Sequence, residues 1–299
     1  MKNIALITDN FGLADDHDMP LLLDACQTLG LAATICNWDD VSVDWARFNA
    51  LLLRSPWSYI DRLPNFLAWC ESVSALTNLL NPISAVHWSL NKRYLADLSG
   101  LGIPVVPSYF VEPGTEPQSA LRSFFDTHSQ PREIVIKPTV GAYSKDVQRF
   151  QSVHETAAVK HIYHLFAKGH HVIIQPYISS IDSVGETNLV YFDGAYSHAI
   201  RKNALLMSDG TVNVPDQAFR KARDASEDEK EVASAALVAA TKHLCLEQPL
   251  LYARIDLTRD NNDKPMVLEM ELCEPSLNLP FSEGSAMRFA QALAQRLGD

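Results

Sequence analysis

Short apolar runs alternate with amphipathic stretches along the first hundred residues of the chain. The apolar runs are bounded by polar residues, which predicts buried strands at residues 4–8, 33–36 and 50–54. Between the first two runs, Asp18 is placed as the N-cap of a helix with Pro20 in its first turn and Gly30 after its end. This alternation of strand and helix predicts a small parallel α/β lobe over residues 1–104.

Beyond a proline-rich passage, residues 105–178 are predicted to form a second lobe of the α+β class. Its predicted elements are a helix at 118–127, strands at 133–137 and 147–150, a helix at 156–168 and a strand at 171–176. After the last strand, residues 175–178 leave the sheet as a non-helical linker. Such linkers between lobes border ligand sites in many proteins.

A third lobe is predicted over residues 179–299, and it opens with a hairpin that turns at Asp193-Gly194. Ser226 and Glu229 form a capping-box pattern at the start of a helix that runs to about Cys245, and a last helix is predicted at 285–297. Residues 207–224 have no clear period, and we interpret them as a mobile loop.

Two apolar runs near the C-terminus, joined by a turn at 260–263, carry acidic residues within their alternation. Asp256 lies on the first run, and Glu269 and Glu271 lie on the second, with Arg254 two residues before Asp256. A hairpin would bring these side chains to one place, where a hard divalent cation with oxygen ligands offsets the clustered charge. The alternative is a pair of solvated strand faces with a surface ion pair.

The amino-acid composition argues against some classes of protein. The 299 residues are 47% hydrophobic, show no long apolar run and carry a net charge of −11, which argues against a membrane span and a nucleic-acid scaffold. The five cysteines show no CxxC spacing, as expected of reduced thiols in a cytoplasmic protein. We therefore expect a cytoplasmic enzyme, and scattered apolar surface is compatible with a homodimer.

Several lysines and polar residues follow predicted strands. Lys137 ends an apolar strand before a loop of small residues, and this arrangement can bind phosphate oxygens. Lys92 is a candidate second phosphate ligand, and the linker residues Gln175, Tyr177 and Ile178 can face an adenine edge. The sequence contains neither GxxxxGK[ST] nor a GxGxxG after its first strand, and it has no zinc-ligand cluster or GxSxG elbow.

Two further groups of candidates lie at the ends of strands. Glu186 follows the linker within reach of a ribose, and Arg201 and Lys202 end a hairpin strand where they can meet a phosphate or a carboxylate. In the first lobe the candidates follow two strand ends, where open α/β sheets bind ligands. Asp9 follows the first of these strands, and Arg54, Trp57, Tyr59 and Arg62 form a polar-aromatic cluster that can grip a carboxylate or a small amino acid. The alternative for this last group is a loop packed on the surface of the lobe.

Taken in order, these residues resemble the ATP-grasp superfamily of carboxylate–amine ligases. Within it, the whole chain resembles the branch that contains the O-ureido-serine cyclo-ligase of cycloserine biosynthesis, and glutathione synthetase is a more distant relative. The passages that carry the resemblance are Arg54-Ser-Pro-Trp-Ser-Tyr59, Asn81-Pro82 with Trp88 and Asn91-Lys92-Arg-Tyr94-Leu, Ile136-Lys-Pro-Thr-Val-Gly-Ala142, Gln175-Pro-Tyr177, Gly185-Glu186, Asp193-Gly-Ala-Tyr-Ser-His-Ala199, Tyr252-Ala-Arg-Ile-Asp256 and Leu268-Glu-Met-Glu-Leu-Cys-Glu-Pro-Ser276.

The resemblance implies an ATP-grasp fold, in which the N-terminal α/β lobe and two α+β lobes clasp ATP, with Mg²⁺ as cofactor. It implies a ligase that forms a C–N bond on a small amino-acid-like substrate through an acyl phosphate. The residues implied for ATP are Lys92, Lys137, Gln175, Tyr177, Ile178 and Glu186, and those for Mg²⁺ are Asp256, Glu269 and Glu271. The catalytic residues implied are Arg254, Lys202 and Arg201, and those for the substrate are Asp9, Arg54, Trp57, Tyr59 and Ser276.

The chain departs from the pattern at two places. Glu271 stands where many relatives have asparagine, and residues 211–215 fit the branch poorly. Three alternatives to a cyclising ligase stay open at this point. They are a two-substrate peptide or amide ligase of the glutathione-synthetase type, an ATP-grasp kinase that phosphorylates a hydroxyl, and a non-catalytic ATP-binding module.

Overall fold

The N-terminal lobe is built on a parallel sheet. The structure is a computed structural model that describes residues 2–128, 130–213 and 216–298. The sheet has the order β2-β1-β3-β4, and all of its strand pairs are parallel. Its strands are β1 (Asn3–Thr8), β2 (Ala32–Asn37), β3 (Ala50–Ser55) and β4 (Asn78–Leu80). Its helices are α1 (Asn10–Asp15), α2 (Met19–Thr28), α3 (Leu63–Ser74), α4 (Ile83–Ser89) and α5 (Tyr94–Gly100). The predicted parallel α/β lobe is confirmed.

The central sheet is antiparallel, with the order β5-β8-β6-β7. Its strands are β5 (Tyr109–Val111), β6 (Glu133–Pro138), β7 (Gln148–Gln151) and β8 (Val172–Pro176). Helices α6 (Pro117–Thr127) and α7 (Glu155–Ala167) bury Phe124, Ile162 and Leu165 in one apolar cluster with this sheet. The predicted elements of this lobe are present, each within a residue or two of its expected bounds.

The C-terminal sheet is also antiparallel and has the order β11-β10-β9-β12-β13. Its strands are β9 (Glu186–Phe192), β10 (Ala195–Lys202), β11 (Arg220–Arg223), β12 (Tyr252–Arg259) and β13 (Pro265–Glu271). Its helices are α8 (Ser180–Val184), α9 (Glu227–His243) and α10 (Ser285–Gly298). The capping box of Ser226 and Glu229 forms at the start of α9 as predicted.

The interpretation of residues 207–224 as a mobile loop is wrong for its last part. Residues 220–223 form the edge strand β11, which pairs with β10. Its sequence, Arg-Lys-Ala-Arg, has no apolar alternation because an edge strand is largely solvated and often carries charges. Val214 and Pro215, in the stretch 211–215 that departs from the family pattern, lie outside the described residues.

The outer lobes share a core that fixes the position of the site. Helix α10 packs on α2, and Phe289 joins Leu22 and Tyr252 in one buried cluster. The chain enters the central lobe alongside β13, where the amide of Val106 donates to the carbonyl of Val267. We retain the division after residues 104 and 178 as a proposal. None of the described helices is both long and apolar enough to cross a membrane.

Candidate active site

A cavity of about 610 Å³ is lined by residues of all three lobes. It lies beyond the carboxyl ends of β1 and β3, the position favoured for ligands in open α/β sheets. The sequence-predicted residues that line it are Trp57, Tyr59, Lys92, Lys137, Gln175, Tyr177, Ile178, Glu186, Lys202, Arg254, Glu269, Glu271 and Ser276. Residues from distant parts of the chain therefore converge on one concave site.

The carboxylate cluster predicted on the C-terminal hairpin forms as expected. Strands β12 and β13 pair so that Asp256 lies opposite Glu269 and Arg254 lies opposite Glu271. The carboxylate oxygens of Asp256, Glu269 and Glu271 approach within 4.8 Å of one another. Asp256 is buried beneath Arg254, whose Nε and Nη2 donate to its two oxygens at 2.8 and 2.9 Å. Because Arg254 and Asp256 are buried, the alternative of a solvated surface ion pair is excluded.

The three carboxylates of the cluster carry more negative charge than Arg254 alone balances, and neighbouring lysines supply further positive charge. Burial would raise the pKa of Glu269, but Lys92 and Lys137 hold it below its usual value. Burial, together with Asp256 and Glu269, raises the pKa of Glu271 despite the attraction of Arg254, which also bonds to it. Three carboxylate oxygens that lie within 4.8 Å of one another fit a hard divalent cation such as Mg²⁺.

Three lysines surround the cluster. The Nζ of Lys92 lies 2.8 Å from Glu269 and 3.3 Å from the carbonyl of Gly141, so it joins the carboxylates to the small-residue loop. The Nζ of Lys202 lies 2.8 Å from Glu186. Lys137 ends β6, and burial lowers its pKa to about 8. The geometry therefore brings together all three lysines that the sequence singled out.

The linker after β8 forms the opposite wall. Gln175 donates through Nε2 to Ser108 at 2.9 Å, and the amide of Tyr177 donates to the carbonyl of Glu133 at 2.9 Å. The ring of Tyr177 lies 3.5 Å beneath the guanidinium of Arg149. Since the Tyr177 amide is already bonded, its carbonyl and the amide of Ile178 are the backbone groups left for an adenine edge.

The other end of the cavity is formed by loops. Trp57 donates through Nε1 to the carbonyl of Glu274 at 2.9 Å, and the Tyr59 ring is buried beside it. Arg220 donates through Nη1 to Ser276 Oγ at 3.0 Å and to Asn278 Oδ1 at 2.9 Å. The pKa of Arg220 is lowered by burial and by the nearby Arg254. This end therefore presents a cation held by neutral partners.

Several residues of this cavity were missed by the sequence analysis: Tyr143, Asn188, Arg220, Glu274 and Asn278. A signal existed for Glu274, which lies in the passage Leu268–Ser276 already singled out, and Asn278 follows that passage by two residues. Arg220 belongs to the stretch that shows no periodicity. Nothing local distinguishes Tyr143 or Asn188 from structural residues.

Four predicted residues do not line the cavity: Asp256, which is buried, and Asp9, Arg54 and Arg201. Asp9 caps α1 and accepts from the amides of Gly12 and Ser58 at 2.6 and 2.7 Å. Arg54 is 1% exposed and donates to the carbonyl of Pro275 at 2.8 Å, while Arg201 donates to the carbonyl of Ser183 at 2.7 Å. Asp9, Arg54 and Arg201 bond to the protein itself and lie outside the cavity lining, and within the described residues the Nε of Arg54 and of Arg201 is buried without a partner.

Comparison with known proteins places this site in a family. Residues 4–81 match a family model described as the N-terminal domain of D-cycloserine synthetase DcsG. The cycloserine biosynthesis protein DcsG of Streptomyces lavendulae is 55% identical over 297 residues, which cover 99% of each chain. The chain belongs to the DcsG family of ATP-grasp ligases. The predicted membership of this branch is confirmed.

Solved structures agree with this placement. The crystal structure of D-cycloserine synthetase DcsG superposes with a TM-score of 0.96 at 55% identity, covering 99% of each chain. More distant matches show the fold alone. They are the ATP-grasp ligase PsnB in complex with Mg and ADP, at 17% identity and a TM-score of 0.62, and D-alanyl-alanine synthetase A of Vibrio cholerae, at 15% and 0.67. PsnB covers 99% of this chain and is itself covered to 99%, and the V. cholerae enzyme is matched over 99% and 97%. The ATP-grasp fold predicted for this DcsG-family chain is confirmed.

Proposed function

We propose that this chain closes a ring within one small amino-acid-like substrate by forming a C–N bond, and that it converts ATP to ADP and phosphate. The observation that carries the proposal is the single cavity. It joins a carboxylate and lysine cluster at one end to Arg220 and its neutral partners at the other. The 55% identity to a cycloserine biosynthesis protein supports the same class of reaction.

The nucleotide is assigned to the end of the cavity around the linker and the lysines. Gln175 and the backbone of Tyr177 and Ile178 would contact the adenine, and Glu186 the ribose. Lys92 and Lys137 would contact phosphate oxygens, since both line the cavity beside Glu269. Asp256, Glu269 and Glu271 would hold Mg²⁺, which supplies positive charge that offsets the phosphates when bound.

The residues of the cavity are suited to acyl activation. The substrate carboxylate attacks the γ-phosphorus of ATP, the bond to the bridging oxygen breaks, and ADP leaves. A nitrogen of the same substrate then attacks the acyl carbon, loses its proton and displaces phosphate. Arg254 would stabilise the negative charge of the acyl phosphate and of the tetrahedral state that follows it, because its guanidinium lines the cavity. The protein contributes position and charge, so no side-chain nucleophile is needed.

The test is release of ADP and phosphate from Mg-ATP against a panel of amino acids, offered singly and in pairs and including O-ureido-D-serine. We expect release with one compound alone, with a product lighter by one water. Release only with a pair would instead identify a peptide or amide ligase. A product heavier by one phosphate group on a hydroxyl would identify a kinase. Binding of ATP without turnover by any member would contradict the proposed substrate class.

A further inference from the structure

Asn188 is a buried asparagine in the floor of the cavity. It lies on β9, is 1% exposed, and lines the cavity. The strand register places it directly opposite Asp256 on β12, and Asp256 in turn lies opposite Glu269 on β13. Side chains opposite one another in a sheet point to the same face. Asn188 therefore stands in one row with two carboxylates of the cluster.

The amide of Asn188 is not satisfied by the protein. Within the described ranges, its Nδ2 is buried and has no hydrogen-bond partner. Buried polar groups are nearly always bonded, so each exception calls for an explanation. The carboxylates of Asp256, in the same row, and of Glu186, on the same strand, bond to cations instead. Both oxygens of Asp256 accept from Arg254, and Glu186 accepts from Lys202.

The position of Asn188 indicates which acceptor is missing. The row of Asn188 lies between the row of Glu186 with Lys202 and the row of Arg254 with Glu271. Under the proposed function, the first of these rows meets the ribose and the last belongs to the metal cluster. A nucleotide that extends from one to the other carries its phosphate chain across Asn188, and phosphate oxygens accept hydrogen bonds without donating any.

We propose that Asn188 Nδ2 donates a hydrogen bond to a phosphate oxygen of the bound nucleotide, which makes Asn188 a phosphate-binding residue. A neutral donor suits this position. A lysine or arginine opposite Asp256 would form an ion pair with that carboxylate and compete with the metal, whereas an amide does not. The proposal rests on the proposed function, because it takes the ligand to be a nucleoside polyphosphate.

The substitution Asn188→Leu separates binding from stability. Leucine has a similar size and removes the unsatisfied donor, so the ligand-free protein should unfold at the same temperature or a higher one. Affinity for ATP and ADP should fall about tenfold, and affinity for adenosine should stay within about twofold. A structural asparagine would give the opposite result for stability.

Asn81→Leu is a matched control. Asn81 is also 1% exposed, but its amide is fully bonded, with Nδ2 donating to the carbonyls of Tyr252 and Leu272 at 2.8 and 2.9 Å and Oδ1 accepting from the amide of Leu251 at 2.7 Å. Its replacement should lower the unfolding temperature clearly. The comparison shows whether the thermal assay detects the loss of a structural amide.

The measurement is isothermal titration of the full chain with ATP, ADP and adenosine, together with thermal unfolding without ligand. A second variant, Asn188→Asp, keeps the shape and lacks the Nδ2 donor, so it should weaken ATP binding at least as much as leucine does. Unchanged ATP affinity in both variants overturns the proposal, as does lowered thermal stability with equal loss of ATP and adenosine. Failure of the wild-type chain to bind ATP would instead contradict the proposed function.

Discussion

The nucleotide end of the cavity differs from the opposite end in how its charges are balanced. Lys92 and Lys202 are paired with Glu269 and Glu186, whereas among the described residues the side-chain partners of Arg220 are the neutral Ser276 and Asn278. An anionic ligand at the first end must compete with Glu269 and Glu186 for the ammonium groups of Lys92 and Lys202. A ligand at the second end meets a guanidinium with neutral hydrogen-bond partners, although Asp18, Glu271 and Asp256 act on its charge from nearby, and an anionic group such as a carboxylate would give it a charged partner.

The two ends also differ in how they are held in place. Lys137 and Lys202 lie at strand ends and Lys92 lies between α4 and α5, whereas the loop after β13 is fixed from the N-terminal lobe. The buried carboxylate of Asp18 accepts from the amides of Asn278 and Leu279 at 3.2 and 2.7 Å, and Arg54 bonds to the carbonyl of Pro275. Arg54 and Asp18 therefore position the loop that carries Ser276 and Asn278, without touching the cavity.

The largest effect is expected from the metal cluster. Glu269→Gln removes one negative oxygen ligand while keeping the size of the side chain and a partner for Lys92. Because the cluster would lose a charged ligand at the phosphates, we expect kcat for ADP formation to fall about 10²–10³-fold, the loss found when one transition-state group is removed. Steady-state ADP release measures this.

Glu247→Gln serves as the control for that substitution, because Glu247 is exposed and lies outside the cavity lining. It should leave kcat unchanged. Both variants should keep the far-ultraviolet circular dichroism of the wild type. Turnover of Glu269→Gln near the wild-type rate would mean that Glu269 is not a metal ligand. It would also contradict the assignment of Mg²⁺ and the ATP phosphates to this end of the cavity.

The sequence predicts the carboxylate cluster on the β12–β13 hairpin well, because the residues that form it are close together along the chain. Acidic residues at strand positions, joined by a turn of four residues, can only meet if the hairpin forms. The sequence does not predict which group the Arg54 guanidinium contacts, because its partner Pro275 lies 221 residues away along the chain. An arginine at a strand end has the same local sequence whether it faces a ligand or a distant carbonyl. Arg220 was missed for a related reason, since an edge strand need not alternate.

A smaller effect, confined to the other end, is expected from Arg220→Gln. A hydrogen bond to a charged group contributes about 1.5–3 kcal/mol, which corresponds to a rise of about 10- to 150-fold in the KM of the amino-acid substrate. The KM of ATP should change little. Initial rates with each substrate varied in turn measure both constants.

Lys221→Gln is the control for Arg220, because Lys221 is the next residue on β11 and its side chain is exposed. It removes one positive charge from the same strand without changing the cavity. An equal rise in the KM of the amino-acid substrate in both variants would mean that the positive charge of β11 as a whole, and not a contact of Arg220, is responsible. A rise in the KM of ATP equal to that of the substrate would remove the distinction between the two ends.

The smallest effect is expected on the Kd of ATP, from the protonation state of Lys137 at the nucleotide end. Burial lowers the pKa of Lys137 to about 8, so the ammonium form dominates below that pH and is lost above it. A phosphate ligand requires the ammonium form. The Kd of ATP without metal should therefore be nearly constant below pH 8 and should rise by up to about tenfold per pH unit above it.

Lys137→Arg isolates this contribution. A guanidinium stays charged across the same range, so the variant should lack the rise that Lys137 causes. Other groups titrate nearby, among them Glu271, whose pKa burial raises. They are present in both proteins, so the difference between the two pH profiles belongs to Lys137. Parallel profiles would mean that Lys137 makes no contact with phosphate, and the positive charge at this end would then come from Lys92 and Lys202 alone.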